Sequence, residues 1–212
     1  MTDVHCHLPA GGNARELVIG RDFFGVHPWD AETVPAGWLD SLSEELARNE
    51  NAGVGEIGLD RLRAKSVVPR MREVYEAQLG LAADMGRRVV LHGAKCWGEV
   101  VKAAKPYAGR IPAFLFHGFS RSGGLIPEIA AMGGFISVGP AVLNDHAVNY
   151  RRLVLSIPRE RLLLETDRTL ERADDTPALG EIAKATAEIL GMAPEELEAL
   201  TDANARAFLG EA

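Results

Sequence analysis

Six histidines are the residues of this 212-residue sequence whose type and placement most clearly suggest chemistry. Five of them lie in or at the carboxyl end of a short apolar segment typical of a buried strand: His5, His7, His27, His92 and His117. Burying several imidazoles together is costly unless each finds a partner, so packing alone does not explain this repetition. Neutral imidazole is a common ligand of divalent metal ions. The histidines therefore predict a metal site.

One pair of histidines, His5 and His7, is separated by a single residue. On a strand, both side chains would leave the same face, whereas Cys6 would point to the other. Such a pair can supply two ligands to one divalent metal ion. A disordered terminal histidine pair is the alternative, and the apolar neighbours of these residues disfavour it.

Two carboxylates share the placement of the histidines. Glu56 lies in an apolar segment, where we expect it to share the face of Val54, and Asp167 ends a second apolar segment. A charged residue in a buried strand needs a partner, which a metal ion supplies. The alternative for either acid is a helix N-cap or a surface pair. Glu165 lies two residues before Asp167 and its role is left open.

Together, four histidines and these two carboxylates could hold two divalent cations. Glu56 could bridge them, and a water between the cations would become a hydroxide near neutral pH. Asp167 would then be both a ligand and the general base. Such a site hydrolyses phosphoesters or amides, and the chemistry alone does not choose between them.

The elements that must position these residues alternate along the chain. Apolar periodicity predicts strands at 3–7, 23–27, 52–57, 88–92, 113–117, 134–138 and 161–166. Helical spacing is predicted around 38–46 and 71–82, and at 97–105, 125–132, 149–156, 176–190 and 193–208. Alternating strands and helices predict an α/β fold with a parallel sheet. Active sites form at the carboxyl ends of such strands. No linker divides the chain, so we expect one domain over residues 1–212.

The composition of the chain argues against several classes of protein. The 23 basic and 30 acidic residues give a net charge of −7, which argues against broad non-specific adhesion to nucleic acid. No apolar run approaches the roughly 20 residues that span a bilayer, and the first residues lack the basic and apolar regions of a secretory signal. Two cysteines cannot form a disulfide framework. These features predict a cytoplasmic protein with no membrane partner.

Seven segments, in order along the chain, resemble the TatD family of metal-dependent deoxyribonucleases in the amidohydrolase superfamily. They are 3–8 (DVHCHL), 25–29 (GVHPW), 55–60 (GEIGLD), 91–92 (LH), 116–120 (FHGFS), 163–167 (LLETD) and 201–208 (TDANARAF). The resemblance implies a TIM-like (β/α) barrel. It also implies Mg²⁺-dependent cleavage of DNA, often as a 3′→5′ exonuclease that prefers single strands.

The resemblance also implies a role for each matched residue. His5 and His7 would bind one metal ion, which Asp167 would complete while acting as base. Glu56 would bridge to a second metal ion, bound by His92 and His117. His27 would lie beside the substrate phosphate. Mg²⁺ or Mn²⁺ is the expected activating ion, and Zn²⁺ is expected to bind in preference to Mg²⁺.

The chain departs from the family between His7 and Phe23, where relatives have two strand–helix units. A parallel crossover with its helix needs about a dozen residues, so two cannot fit. Residues 17–20 could remain as a strand. We therefore predict a distorted or incomplete barrel of seven to eight strands, open near its first strand, with helices missing after that strand. The opening would expose an apolar surface near residues 8–24, which a homodimer could bury.

The substrate side departs from the family as well. The arginine that usually follows the fourth histidine by two residues is Ala94 here, with Lys95 next to it, and Arg121 replaces a glycine. Lys95, Arg121 and Arg168 could form a new phosphate clamp, or they could be solvated loop charges. His27, Lys95 and Arg121 are our candidate substrate contacts. His146 matches no motif and is expected in a loop or helix.

Three hypotheses follow. The first is a TatD-like deoxyribonuclease that cleaves phosphodiester bonds in DNA, with single strands preferred. The second is a hydrolase of small amides, esters or phosphoesters in the same superfamily, which the acidic charge and altered substrate residues favour. The third is a metal-holding scaffold without catalysis. Degradation of DNA by the metal-loaded protein distinguishes the first from the other two.

Overall fold

The computed structural model describes residues 1–63, 68–120 and 123–211. Within them lie the strands β1 (Thr2–Cys6), β2 (Arg15–Val18), β3 (Phe23–Phe24), β4 (Gly53–Asp60), β5 (Val89–Ala94), β6 (Phe114–Phe116), β7 (Gly134–Val138) and β8 (Leu162–Leu164). The helices are α1 (Trp38–Arg48), α2 (Pro69–Asp84), α3 (Trp97–Ala104), α4 (Ile126–Ala131), α5 (Val148–Ser156), α6 (Leu179–Leu190) and α7 (Pro194–Leu209). The predicted alternation is confirmed. β3 is shorter than predicted, since it ends at Phe24, and a proline-initiated 3₁₀ turn begins directly after His27.

The strands form two parallel sheets. β3 to β8 make a six-stranded sheet in sequential order, and β1 pairs with β2. A single bridge between Ile19 and Phe23 connects the pair to β3. At the other edge, the backbone N–H of Asp167, just after β8, donates to the carbonyl of His5 at 3.1 Å. The ring of strands is interrupted at these two places, so the predicted distorted, incomplete barrel is confirmed.

The predicted loss of helices is also confirmed. Residues 7–14 between β1 and β2, and residues 19–22 between β2 and β3, contain no helix, and all of them belong to the described residues. These connections are shorter than a helical crossover requires. The predicted remnant strand is present as β2.

Part of the apolar surface expected at the opening is covered within the chain, whereas Leu8, Ile19 and Phe24 are half-buried. Leu17, Val18 and Phe23 are buried within the chain itself. Less apolar surface is left there for a homodimer to bury, and dimerisation stays an untested prediction.

The site rests on a layer of apolar side chains inside the barrel. Val90, Leu115 and Leu163 belong to an inner core that Phe208 of α7 joins. Because strand side chains alternate between faces, the residues two positions further along point into the same interior. They are His92, His117 and Glu165. The carboxyl ends of the strands thus place polar groups directly above a closed apolar layer.

No helix in the described part of the chain combines the length and apolar character that crossing a membrane requires.

Candidate metal centre

Glu56 lies at the centre of the polar cluster, and its two carboxylate oxygens face two groups of side chains. Its Oε1 is 2.5 Å from Nδ1 of His92 and 2.7 Å from Nε2 of His117. Its Oε2 is 3.4 Å from Nε2 of His5 and 3.3 Å from Nε2 of His7. Asp167 completes the second group, since its Oδ1 is 3.5 Å from His5 Nε2 and 3.7 Å from His7 Nε2. The six residues predicted as ligands are therefore brought together, and their roles as ligands stay a prediction.

The cluster is closed on one side and open on the other. The side chains of His5 and Glu56 are 0% and 3% exposed, whereas those of His7 and Asp167 are 35% and 38% exposed. Among the described residues, the side of His7 and Asp167 is therefore the more open one to a substrate.

The electrostatics of the cluster keep its carboxylates ionised. Burial raises the pKa of Glu56, but His117 and His5 outweigh burial and hold it well below the usual value. Burial likewise raises the pKa of Asp167, and His5 and His117 bring it below the usual value. Burial and His117 lower the pKa of His5, whereas Glu56 and Asp167 raise it to about 9. The site therefore presents anionic oxygens among ring nitrogens.

An irregularity in β4 turns Glu56 into the barrel. We expected Glu56 to share the face of Val54, and this was wrong, since Val54 packs in the core between sheet and helices while Glu56 contacts the histidines. The pairing register of β4 with β5 shifts between Val54 and Ile57. A shift of one residue moves the following side chains to the opposite face.

Asp167 is held by the first strand. The carboxylate of Asp3 accepts hydrogen bonds from the backbone N–H and the hydroxyl of Thr166, at 3.0 and 2.6 Å. Burial raises the pKa of Asp3 to about 6 despite these bonds. Asp167 itself has a φ of 48°, which is uncommon for a residue other than glycine. Its position at the site is thus fixed by contacts to β1.

The donor set fits divalent cations. Both ring nitrogens of the fully buried His5 lack a hydrogen-bond partner among the described residues. His92 Nδ1 and His117 Nε2 are 3.5 Å apart and face the same carboxylate oxygen. Ligand atoms of His5, His7 and Glu56 all lie within 4.8 Å of one another. Imidazole nitrogens with carboxylate oxygens are a donor set that divalent metal ions accept.

His27 lies beside the cluster, and its hydrogen bonds distinguish it from the other histidines. Its Nδ1 accepts the backbone N–H of Trp29 at 3.2 Å, and its Nε2 is 3.6 Å from Oε1 of Glu56. In a neutral imidazole, one nitrogen donates when the other accepts. Nε2 of a neutral His27 is therefore a donor, although ligand atoms of His27, Glu56 and His92 also lie within 4.8 Å of one another.

Of the other two predicted substrate contacts, Lys95 and Arg121, the structure describes only the first. Lys95 lines a cleft of about 860 Å³ that also includes His92, His117 and Asp167. Arg121 lies outside the described residues. His146 follows the 3₁₀ turn after β7 and lines a separate cleft.

Two further buried carboxylates contact the histidines, and neither was predicted to belong to the site. Asp60 Oδ2 is 3.0 Å from Nε2 of His92, and Glu165 Oε2 is 3.5 Å from Nδ1 of His117. Both could have been found in the sequence. Asp60 ends the apolar strand that contains Glu56, and Glu165 lies between an apolar strand and Asp167.

Comparisons of the sequence and of the fold with known proteins agree with each other. The sequence model for proteins described as TatD related DNase matches residues 19–210. A protein of Klebsiella pneumoniae (strain 342), named 3′-5′ ssDNA/RNA exonuclease TatD, is 32% identical over 202 residues, which cover 88% of this chain and 75% of the relative. The uncharacterized metal-dependent hydrolase YabD of Bacillus subtilis (strain 168) is 27% identical over 209 residues, covering 93% and 82%. The crystal structure of YJJV, a TatD homologue from Escherichia coli K12, superposes with a TM-score of 0.78 at 24% identity, over 89% of this chain and 76% of that one, which shows the shared fold.

Proposed function

Because this chain belongs to the TatD-related DNase family of metal-dependent hydrolases, we propose that it degrades single-stranded DNA from the 3′ end by hydrolysing phosphodiester bonds. The observation that carries this proposal is Glu56, whose two oxygens each face a separate group of proposed ligands, of which His92, His117 and Asp167 line an open cleft. The names of relatives that act on single-stranded nucleic acid support the substrate. Residues 1–212 are proposed to form one catalytic domain.

The proposed roles follow from the two groups around Glu56. His5, His7 and Asp167 would hold one divalent cation and His92 with His117 a second, with Glu56 shared between them. Such cations supply Lewis acidity, which makes water a stronger acid and neutralises negative charge on a phosphate. We propose that Mg²⁺ or Mn²⁺ supports activity, and that the site binds Zn²⁺ more tightly than Mg²⁺.

The chain's own residues would handle the proton and the phosphate. Asp167, on the open side of the cluster, would accept the proton of the attacking water on a carboxylate oxygen. His27 would donate its Nε2–H to a phosphate oxygen, and the ammonium group of Lys95 would approach the same phosphate from the cleft wall. Arg121 is proposed as a further phosphate contact.

The function is tested with end-labelled single-stranded DNA, the purified protein and added Mg²⁺ or Mn²⁺. We expect degradation that begins at the 3′ end, stops with a chelator and resumes when the cation is restored. Duplex DNA of the same sequence serves as the comparison and should be cleaved more slowly. Intact single-stranded DNA after long incubation with cation-loaded protein would refute the proposal.

Replacing His27 with alanine separates a substrate contact from a metal ligand. We expect kcat/KM on DNA to fall about 10- to 100-fold, because a hydrogen bond to a charged group contributes roughly 1.5–3 kcal/mol. Cation affinity, measured by titration calorimetry, should change little, since Nε2 carries a proton and has no free lone pair. A large loss of cation affinity would instead make His27 a ligand.

A small-molecule hydrolase is the second candidate, and one observation favours it. Arg61, which lines the cleft, forms an ion pair with Glu99. Of the basic residues described along that cleft, Lys95 is then the one left to attract a phosphate backbone. Turnover of small esters, amides or phosphoesters together with inert DNA would favour this function.

A further inference from the structure

We propose that Glu165 and Asp60 are positioning residues that determine which ring nitrogen of His117 and of His92 faces Glu56. The inference rests on the proposed metal centre, since its consequence is the availability of a nitrogen lone pair for a cation. Neither acid belongs to the proposed ligand set. Each would act through the histidine that it contacts.

Glu165 is held in one orientation. Its Oε1 accepts the backbone N–H of Gly118 at 2.7 Å, and its Oε2 accepts the hydroxyl of Ser137 at 2.6 Å. The side chain is 1% exposed, so water does not compete for these oxygens. Oε2 also lies 3.5 Å from Nδ1 of His117. The geometry falls short of a hydrogen bond, and Nδ1 of His117 has no hydrogen-bond partner among the described residues, so Glu165 Oε2 is the acceptor that a proton on Nδ1 would face. With a cation on Nε2, the proton of His117 would lie on Nδ1.

Asp60 does the same for His92 through the opposite nitrogen. Its Oδ1 accepts the backbone N–H groups of Leu62 and Arg63, at 2.6 and 3.0 Å. Its Oδ2 accepts the indole N–H of Trp29 at 2.7 Å and lies 3.0 Å from Nε2 of His92. With a cation on Nδ1, the proton of His92 would therefore lie on Nε2, facing Asp60.

The two acid–histidine pairs, Glu165–His117 and Asp60–His92 (the two dyads), meet at one oxygen of Glu56. Nε2 of His117 and Nδ1 of His92 face the same oxygen, Glu56 Oε1, at 2.7 and 2.5 Å. A cation bound beside Glu56 would displace the protons from these two nitrogens, whereas Glu165 and Asp60 would keep a proton on the opposite nitrogen of each ring. Carboxylate partners commonly fix the tautomer of metal-binding histidines. Without Glu165 or Asp60, either imidazole could present a proton to the cation instead of a lone pair.

The Glu165→Gln variant tests this directly because it replaces the acceptor that faces Nδ1 of His117 with a donor. The amide carbonyl must face the backbone N–H of Gly118, so the amide NH₂ is left facing Ser137 and Nδ1 of His117. The NH₂ group donates, which favours Nδ1 as acceptor and moves the imidazole proton to Nε2. We expect affinity for Zn²⁺ to fall roughly 10- to 100-fold, the usual range for such partners. Glu160→Gln, the same change at an exposed site before β8, is the matched control and should bind Zn²⁺ like the wild type.

Nitrogen-15 NMR of the histidine rings gives the readout that a purely structural role would not move. In Zn²⁺-loaded wild type we expect a protonated Nδ1 on His117 and a protonated Nε2 on His92. Glu165→Gln should change the pattern of His117 and leave that of His92. Asp60→Asn should change the pattern of His92 and leave that of His117. If Glu165→Gln does not fold, Asp60→Asn takes its place in the test.

Wild-type affinity with an unchanged ring pattern in both variants would overturn the proposal, as would a wild type that does not bind Zn²⁺. These measurements need no nucleic acid. A protein that binds Zn²⁺ through the expected nitrogens but leaves DNA intact would refute the proposed nuclease function and support the two dyads.

Discussion

Replacing Asp167 with asparagine is expected to lower the rate of phosphodiester hydrolysis by about 10²- to 10⁴-fold, the usual contribution of a positioned general base. Asparagine keeps the size of the side chain but does not accept a proton at neutral pH. It also tolerates the φ of 48° at this position, because asparagine adopts the left-handed region more readily than most residues. The lost activity would therefore reflect the carboxylate and not a distorted loop.

Steady-state cleavage of single-stranded DNA at saturating Mn²⁺ measures this effect. Asp174→Asn, the same substitution at an exposed position in the following segment, is the matched control and should retain full activity. Calorimetry should show weaker binding at the His5–His7 group with binding at the His92–His117 group retained. An Asp167→Asn enzyme with more than a tenth of wild-type activity would remove Asp167 from the role of base.

The Glu56→Gln variant is expected to lose cation binding at both groups. Glu56 carries the charge that faces five histidines, and it is 3% exposed, so no solvent replaces the lost carboxylate. Removing one partner of a buried charge pair costs roughly 3–5 kcal/mol, which corresponds to an affinity loss of about 10²- to 4 × 10³-fold. Activity should disappear with the cations.

Titration of the chelator-treated protein with Mn²⁺ or Zn²⁺ measures this loss, and circular dichroism shows whether the variant folds. Glu128→Gln, on the outer helix α4, is the control and should leave cation affinity unchanged. If Glu56→Gln lost affinity at only one group of ligands, Glu56 would not be the shared carboxylate, and the two-cation arrangement would be wrong.

Local sequence patterns were sufficient to predict the strands, the helices and the placement of the candidate ligands. Apolar side chains recur with period two or about 3.6, and the histidines follow the apolar runs directly, so the strand ends that carry them could be located. The shortness of the segment between His7 and Phe23 was enough to predict the missing helices, because chain length limits what a crossover can contain. The resemblance to a known family supplied the proposed division of ligands.

The relations across the barrel were decided by the tertiary structure alone. Glu56 turns inward because the register of β4 shifts beside β5, and a shift of one residue reverses the face of a side chain without leaving a signal in the apolar pattern. The pairing of Glu165 with His117 joins residues from different strands, whose separation depends on sheet register and barrel curvature. The burial of Leu17 and Phe23 depends likewise on the packing of the opened side. The sequence by itself determined which groups can do chemistry, and only the folded chain decided which atoms of those groups meet, because distances between remote segments are set by packing and not by local pattern.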